Sequence, residues 1–505
     1  MKKPFLLSLS VALASTPALQ ADVKLPAVIS DHMVLQQDAE DPVWGWAAPD
    51  EEVTVTIAGK TQTTKADAEG KWSVKLGKLP VNAEPQTLTV KGKNTITVDD
   101  VLVGEVWLGS GQSNMELPVI RTQNFEQEKA AANFPQIRMF TVVHSPQRTP
   151  QEDCKGSWKV CTPENVPAFS ATAYYFGREL HQKLHVPVGL LHSSYGGTDI
   201  DAWIAEEVQV DKPELKVALD QWAKDDTTYD PAVAKANFDK QMEAWEKKVE
   251  AAKAAGTPEP PKPYIVPQPR VNPNYPANLY NGMIAPILPY GIRGALWYQG
   301  EADSYSKDKT ALYHERLSLL ISDWRKRWGQ EFPFAWVQLP NYDHQDFRPL
   351  VREAMLQTLS LPKTGMAITI DIGMAKDNHP VNKQEVGRRL SLWALGTVYG
   401  QKVPTTSGPL PAGHEVRGSE VVLSFSHADG GLVAKDGDLQ GFMVAGEDKV
   451  WKPATAKIEG DNVIVSQTEV TKPVAVRYAW AGFPTCNLYN GAGLPASPFR
   501  TDDWP

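Results

Sequence analysis

From Asp22 to Asp100, apolar and polar residues alternate in short runs. Val53-Thr-Val-Thr-Ile57, Trp72-Ser-Val-Lys-Leu76 and Gln86-Thr-Leu-Thr-Val90 each put every second side chain on one face, the period of a half-buried strand. Turn residues at Pro49-Asp50 and Glu69-Gly70 separate them, and the spacing predicts a β-sandwich region over residues 22–100. At Val101 the alternation stops. Val101-Leu-Val-Gly-Glu-Val-Trp-Leu-Gly109 is a nearly continuous apolar run, as expected of a strand covered on both faces. Small residues follow in Ser110-Gly-Gln-Ser-Asn-Met115, where the backbone can turn sharply and approach a ligand.

Beyond this turn, helical and strand patterns take turns. Ala171–Leu184 reads as a helix, Val188–Leu191 and Gly294–Tyr298 as strands, and Leu312–Trp328 as a second helix. Phe334–Gln338 and Met366–Ile370 are further strands, and Lys383–Val398 is a closing helix. Apolar strands alternating with amphipathic helices predict an α/β domain over residues 101–400, with a parallel sheet covered on both faces. An insertion interrupts it at about residues 205–265. Phe238, Met242, Trp245 and Val249 share one helical face there, and the helix should end near Gly256. Pro258-Glu-Pro-Pro-Lys-Pro263 is an extended connector. The insertion is either a surface excursion or a lid over a site. From Val403 the β pattern returns in Val421–Phe425, Asn462–Val465 and Val474–Tyr478, giving a second β region over residues 401–505.

A chain of 505 residues exceeds one hydrophobic core, in keeping with this division. Residues 1–21 run from Lys2 and Lys3 through the apolar Leu6–Ala14 to small residues at Ser15, Thr16, Ala18 and Ala21. That order is an export signal, so the mature protein is expected in the periplasm or outside the cell. No other stretch is apolar for long enough to span a bilayer. The net charge is −9 and dense basic runs are lacking, which excludes nucleic acid as a partner. Three cysteines leave at least one unpaired; an oxidising compartment permits a Cys154–Cys161 bridge, and Cys486 reads as a buried small residue. No Cys/His spacing suits a metal. Sixteen Trp and fifteen Tyr offer flat faces that suit sugar rings.

Four segments follow predicted strands of the α/β region: Gly111-Gln-Ser-Asn-Met115, Tyr195-Gly-Gly-Thr198, Tyr298-Gln-Gly-Glu-Ala-Asp303 and Asp377-Asn-His-Pro380. One sheet edge would gather all four. They supply the parts for acyl transfer. A serine hydroxyl needs a base, and the imidazole of His379 is suited to the task near neutral pH, with Asp377 orienting the ring. Fixed donors for an oxyanion are the Ser113 amide, the Gly197 amide and the Gln299 side chain.

These segments, in this order, resemble the SGNH-hydrolase superfamily, specifically its sialate O-acetylesterase-like carbohydrate esterases. The likeness takes in both β regions, Leu279-Tyr-Asn-Gly-Met-Ile-Ala285 and Gly493-Leu-Pro-Ala-Ser-Pro-Phe-Arg500. It implies a three-layer α/β/α, flavodoxin-like hydrolase domain with flanking β-sandwich regions and a helical insertion. It also implies deacetylation of sugar esters without metal or other cofactor. Ser113 matches the family nucleophile, His379 the base, and Gly197 and Gln299 the oxyanion positions. The chain departs from the wider superfamily in two places. Asp377 stands two residues before His379 where three is usual, so Asp371 or Glu301 is an alternative orienting carboxylate. Gln299-Gly300-Glu301 replaces the usual block with an Asn donor. Asn114, Glu301, Trp203 and Asn281 are candidates for supporting or sugar-contacting roles. Arg121, Arg270, Arg293 and Arg348 are candidates for binding a substrate carboxylate, which a sialate substrate carries and a xylan fragment lacks. Two other readings remain: a glycosidase pairing Glu301 with Asp303 or Asp377, and a glycan-binding protein on an inactive hydrolase scaffold.

Overall fold

The 17-residue strand β1 (Thr95–Gly111) runs through two environments. Its first half pairs antiparallel with Asn82–Lys91 in the N-terminal β region, and Leu102–Gly104 lie parallel to Val34–Gln36. Up to Asp100 the burial is mixed; from Val101 to Gly111 every residue is buried. The apolar run in the sequence begins where both faces become covered, not where the strand begins. Within the covered half, Glu105 is a buried carboxylate, which needs partners to be tolerated. Arg293 supplies two hydrogen bonds of 2.6 and 2.9 Å, and Gln37 and Tyr399 supply others of 2.6 and 2.9 Å.

The computed structural model describes residues 22–344 and 346–504; the export signal expected over residues 1–21 lies outside them. Around β1 the central sheet adds β2 (Phe134–Thr141), β3 (Trp158–Cys161), β4 (Val188–Ser194), β5 (Gly294–Tyr298), β6 (Phe334–Val337) and β7 (Thr364–Ala367). The order is β7-β6-β5-β1-β4-β2-β3, and only the edge strand β3 is antiparallel to its neighbour. With the β2–β3 edge set aside, β4-β1-β5-β6-β7 is the flavodoxin order, and the winding reverses at β1.

Helices cover both faces. Trp107 on β1 meets Phe176 of α1 (Ala171–Leu184) and Trp393 at the end of a helix starting at Lys383. Trp297 of β5 is in register with Ser110, three residues further along β1, and so points to the opposite face. There it packs edge-on against Trp203 and against Trp324, which lies on the helix Tyr313–Trp328. The fold is therefore the three-layer α/β/α sandwich.

After a short helix at Glu206–Val210, the insertion forms two long helices, α2 (Pro213–Thr228) and α3 (Pro231–Ala255). The helix over Tyr313–Trp328 is then α4, with α5 at Arg348–Thr358 and α6 at Lys383–Trp393. Helix α3 stops at Gly256, whose φ of +65° closes it in the left-handed region. Phe238, Met242, Trp245 and Val249 are its less exposed positions, as the pattern required. The proline-rich connector folds back over them, with Trp245 Nε1 donating to Pro260 O at 2.9 Å.

Strand β2 and helix α5 are absent from the sequence-based expectation because buried charge breaks their apolar pattern. Arg138 in β2 is buried and paired with Asp100 through bonds of 2.7 and 3.0 Å. Arg348 and Arg352 in α5 are fully buried, and Arg352 is spent on the carbonyls of Leu339, Pro340, Ala481 and Gly482. Those last two contacts, with Gln338 Nε2 to Ser497 Oγ at 2.8 Å, anchor the C-terminal antiparallel sheets to the hydrolase domain. All three cysteines are unpaired, so the permitted Cys154–Cys161 bridge is not formed. Among the described residues no helix is long and apolar enough to cross a membrane.

Trp107 ties β1 to two helices without any solvent contact. Trp107→Ala should cost about 3–5 kcal/mol, the range for emptying a large aromatic site. Denaturant unfolding followed by circular dichroism measures it.

Candidate active site

Gly111, Ser194 and Tyr298 lie at one level, because Gly111 is in register with both of the others. Three loops therefore leave the carboxyl edge of the sheet together, at the point where the winding reverses. Gly111 has a φ of +136°, and a Cβ there would come within 2.1 Å of the Tyr298 carbonyl oxygen. Only glycine fits. The next amide, Gln112 N, donates to that same carbonyl at 2.9 Å, and the chain turns into a short helix, Ser113–Glu116.

That turn leaves Ser113 half-buried, and its Oγ is 2.9 Å from His379 Nε2. His379 Nδ1 is 3.1 Å from Asp377 Oδ1. The same carboxylate oxygen accepts the His379 backbone N–H at 2.9 Å. This tight turn explains how a spacing of two still reaches the ring. A proton on Nδ1 donated to Asp377 leaves the Nε2 lone pair facing the serine hydroxyl. The rival carboxylates are engaged elsewhere. Asp371 is held by Arg389 through bonds of 2.7 and 2.8 Å and accepts from Tyr489. Glu301 is buried and accepts from Asn114 Nδ2 at 2.5 Å. Asp303 is fully buried, and burial pushes its carboxyl up to about 8. The glycosidase pairing of Glu301 with Asp303 or Asp377 thus lacks two carboxylates facing a common open site.

Asn114 joins the Ser113 turn to the His379 turn. Its Nδ2 also donates to the Asn378 carbonyl at 3.0 Å, and its Oδ1 accepts from Lys383 Nζ at 2.6 Å. Asn378 is held in turn by Arg348 at 3.0 Å. Lys383 opens α6 and is fully buried. Burial pushes its ammonium down to about 7, although Glu301 and Asp377 pull it the other way. Sequence reasoning missed Lys383. Its position four residues after His379, at the start of a helix, was the available signal.

The loop Tyr195–Asp199 lies against the serine. A Cβ on Gly196 would be 3.3 Å from Ser113 Cβ. Gly197 is exposed with a φ of +73°, and among the described residues neither its amide nor that of Ser113 has an acceptor. Three segments fix this loop. Glu116 accepts from Gly196 N at 2.7 Å, Asn274 donates to Gly197 O at 3.2 Å, and Gln299 donates to Thr198 O at 3.0 Å. Gln299 therefore departs from its expected role. Its side chain is fully buried, its second N–H is spent on Asp303, and its Oε1 accepts from Tyr313. It braces the loop instead of facing open space. Trp203 likewise cannot stack on a sugar: it is fully buried and its indole N–H goes to Thr198 Oγ1 at 3.1 Å. Asn281 is buried and donates to Gln147 O at 3.0 Å, a packing role.

The arrangement can move a proton from a hydroxyl to an imidazole and hold an anion on two free amides. Among the described residues no cluster of side chains suits a metal ion. A family model described as carbohydrate esterase, sialic acid-specific acetylesterase, matches residues 272–394. Sialate O-acetylesterase of Mus musculus is 29% identical over 532 residues, covering 94% of this chain and 94% of that protein. The Homo sapiens sialate O-acetylesterase is 29% identical and covers 94% of this chain and 92% of its own. The crystal structure of a carbohydrate acetylesterase from Xanthomonas citri superposes with a TM-score of 0.81 at 36% identity, over 95% of this chain and 100% of that one. With likeness of that extent, the chain belongs to the sialate O-acetylesterase-like carbohydrate esterases, and it is a carboxylic ester hydrolase that removes O-acetyl groups from sugars.

Proposed function

We propose that the chain is a serine esterase for O-acetylated sialic acids, with Ser113 as nucleophile, His379 as base and Asp377 as the group that orients it. The observation that carries the mechanism is the line from Ser113 Oγ through His379 to Asp377, at 2.9 and 3.1 Å. In the first half-reaction Ser113 gives its proton to His379 Nε2 and attacks the acetyl carbonyl carbon. The developing oxyanion is taken by the amides of Ser113 and Gly197. Collapse breaks the ester bond, and the sugar oxygen leaves with the proton from His379. In the second half-reaction water attacks the acetyl-serine and gives its proton to His379; collapse breaks the bond to Ser113 Oγ, which takes that proton back as acetate departs.

Two observations favour an acidic sugar. The curated relatives carry the name sialate O-acetylesterase. The four candidate arginines also sort by environment. Arg270 is paired with Asp226 on the insertion, Arg293 with Glu105 in the covered half of β1, and Arg348 is fully buried beside Asp346. Arg121 is exposed and has no ion-pair partner among the described residues. It lies two residues before Gln123, whose amide bonds the Val381 carbonyl close to His379. A free guanidinium at that rim is suited to a carboxylate.

Acetate release tests the reading. Ser113→Ala should lower kcat/KM by at least about 10³-fold with thermal stability unchanged, as removal of a triad nucleophile does. Asp377→Asn should lower kcat at least about tenfold, because the ring loses its preferred tautomer. Asp371→Asn should instead lower the melting temperature, through loss of the Arg389 pair, and spare kcat. The reverse pattern would move the orienting role to Asp371. On a panel of acetylated sialosides and xylo-oligosaccharides, Arg121→Gln should raise KM for sialosides alone. Equal turnover of both classes by the wild type, with no effect of Arg121→Gln, would leave the esterase mechanism standing and remove the sialate assignment.

A further inference from the structure

Glu116 sits three residues after Ser113, at the end of the same helical turn. Its Oε2 accepts the Gly196 amide at 2.7 Å, and the next amide along, Gly197, is the free donor for the oxyanion. This places a carboxylate one peptide away from where negative charge develops. Such a charge opposes the reaction unless it is neutralised, since charges in a partly desolvated site are poorly screened. His144 lies against it. Its Nε2 is 3.0 Å from Glu116 Oε1 and 3.1 Å from the Ser194 carbonyl, and its ring stacks on Tyr195 with centroids 3.9 Å apart. A donor on Nε2 facing both a carboxylate and a carbonyl is an arrangement that favours imidazolium. The bond to Glu116 raises the His144 ring above its ordinary value, and the Glu116 carboxyl is correspondingly lowered, although burial works against the charge on each. The other titratable groups facing this pair are Tyr195 and His192. His192 is buried and pushed down to about 4, so it brings no positive charge. Its Nε2 is spent on Ser194 Oγ at 2.6 Å.

We infer that His144 is a positioning residue that cancels the charge of Glu116, so that Glu116 can anchor the oxyanion loop without repelling the oxyanion. The pair fixes Gly196, hence Gly197, relative to Ser113, and does so at no net charge. This rests on the serine esterase reading above. It assigns no contact with substrate to either residue.

The test is a mutant cycle on acetate release from an acetylated sugar, with melting temperature measured for each variant. His144→Phe keeps a ring to stack on Tyr195 but leaves Glu116 uncompensated. It should lower kcat about tenfold, with KM within about twofold. Adding Glu116→Gln keeps an acceptor for Gly196 and removes the charge, so the double variant should regain most of the lost kcat. A residue that merely filled space would give a double variant no faster than His144→Phe. His144→Gln, which keeps a donor but has no charge, should behave like His144→Phe and carries the test if Phe lowers the melting temperature. A kcat within twofold of wild type for both His144 variants, a loss confined to KM, or a double variant no faster than the single one overturns the inference. Labelling by an organophosphate separates the two levels. If wild-type Ser113 is not labelled, the esterase reading falls and this inference with it. If Ser113 is labelled and Glu116→Gln gives no rescue, the inference alone falls.

Discussion

The buried amide of Asn114 is the constraint on which the site depends. The nucleophile turn and the histidine turn come from opposite ends of the hydrolase domain, and no secondary structure connects them. Asn114 does so with both ends of one side chain: its oxygen accepts from Lys383, and its nitrogen donates to Glu301 and to the Asn378 carbonyl. Its own carbonyl is held by Thr172 Oγ1 at 3.1 Å. A buried amide with every group committed tolerates no ordinary replacement. An acid lacks the donors, an aliphatic side chain lacks both functions, and a stranded partner costs about 1–3 kcal/mol. Lys383 and Glu301 are the supporting charges, each buried beside the other's field, and neither belongs to the reacting groups.

The oxyanion loop follows the same logic with weaker individual bonds. Glu116, Asn274 and Gln299 come from three separate segments and each takes one backbone group of Gly196, Gly197 or Thr198. The Gly197 amide, between these anchored neighbours, has no acceptor among the described residues. Donors that need no rearrangement when charge appears are the largest source of catalysis in sites of this type. In the proposed mechanism the commitment of Gln299 to Thr198 and Asp303 serves the oxyanion at one remove.

Much of this was legible in the chain. Strands β4 to β6, the helix over Ala171–Leu184 and the turn at Ser113 follow from apolar periodicity and small residues, whereas β7 forms at Thr364–Ala367, two residues ahead of the expected Met366–Ile370. The grouping of Ser113, Gly197 and His379 follows from where loops must leave a parallel sheet. What the pattern hid has a common cause. Arg138, Arg348 and Arg352 are charged yet buried, so β2 and α5 carry no clean apolar stripe. Gln299 and Trp203 have the chemistry of site residues, and only their partners, Asp303 and Thr198, reveal that they face inward. Lys383 and His144 escaped for the same reason: their roles lie in contacts with residues far away in the chain. Asp377 shows the converse. An unusual spacing looked unfavourable until the backbone turn that makes it work was in view.

The continuity of β1 has a consequence for how the molecule comes apart. One strand zips the N-terminal β region to the catalytic sheet, so the two are not beads joined by a tether. The ladder to Asn82–Lys91 gives way after Val103 to the ladders with β4 and β5, so fraying that starts at Thr95 meets a second set of partners before it reaches Gly111. Truncation at residue 100 would remove the antiparallel partner of β1 and leave Glu105–Gly111 held by β4 and β5. The N-terminal β region and the sheet that carries the Ser113 turn share one continuous strand, so strain in either reaches the other through the backbone.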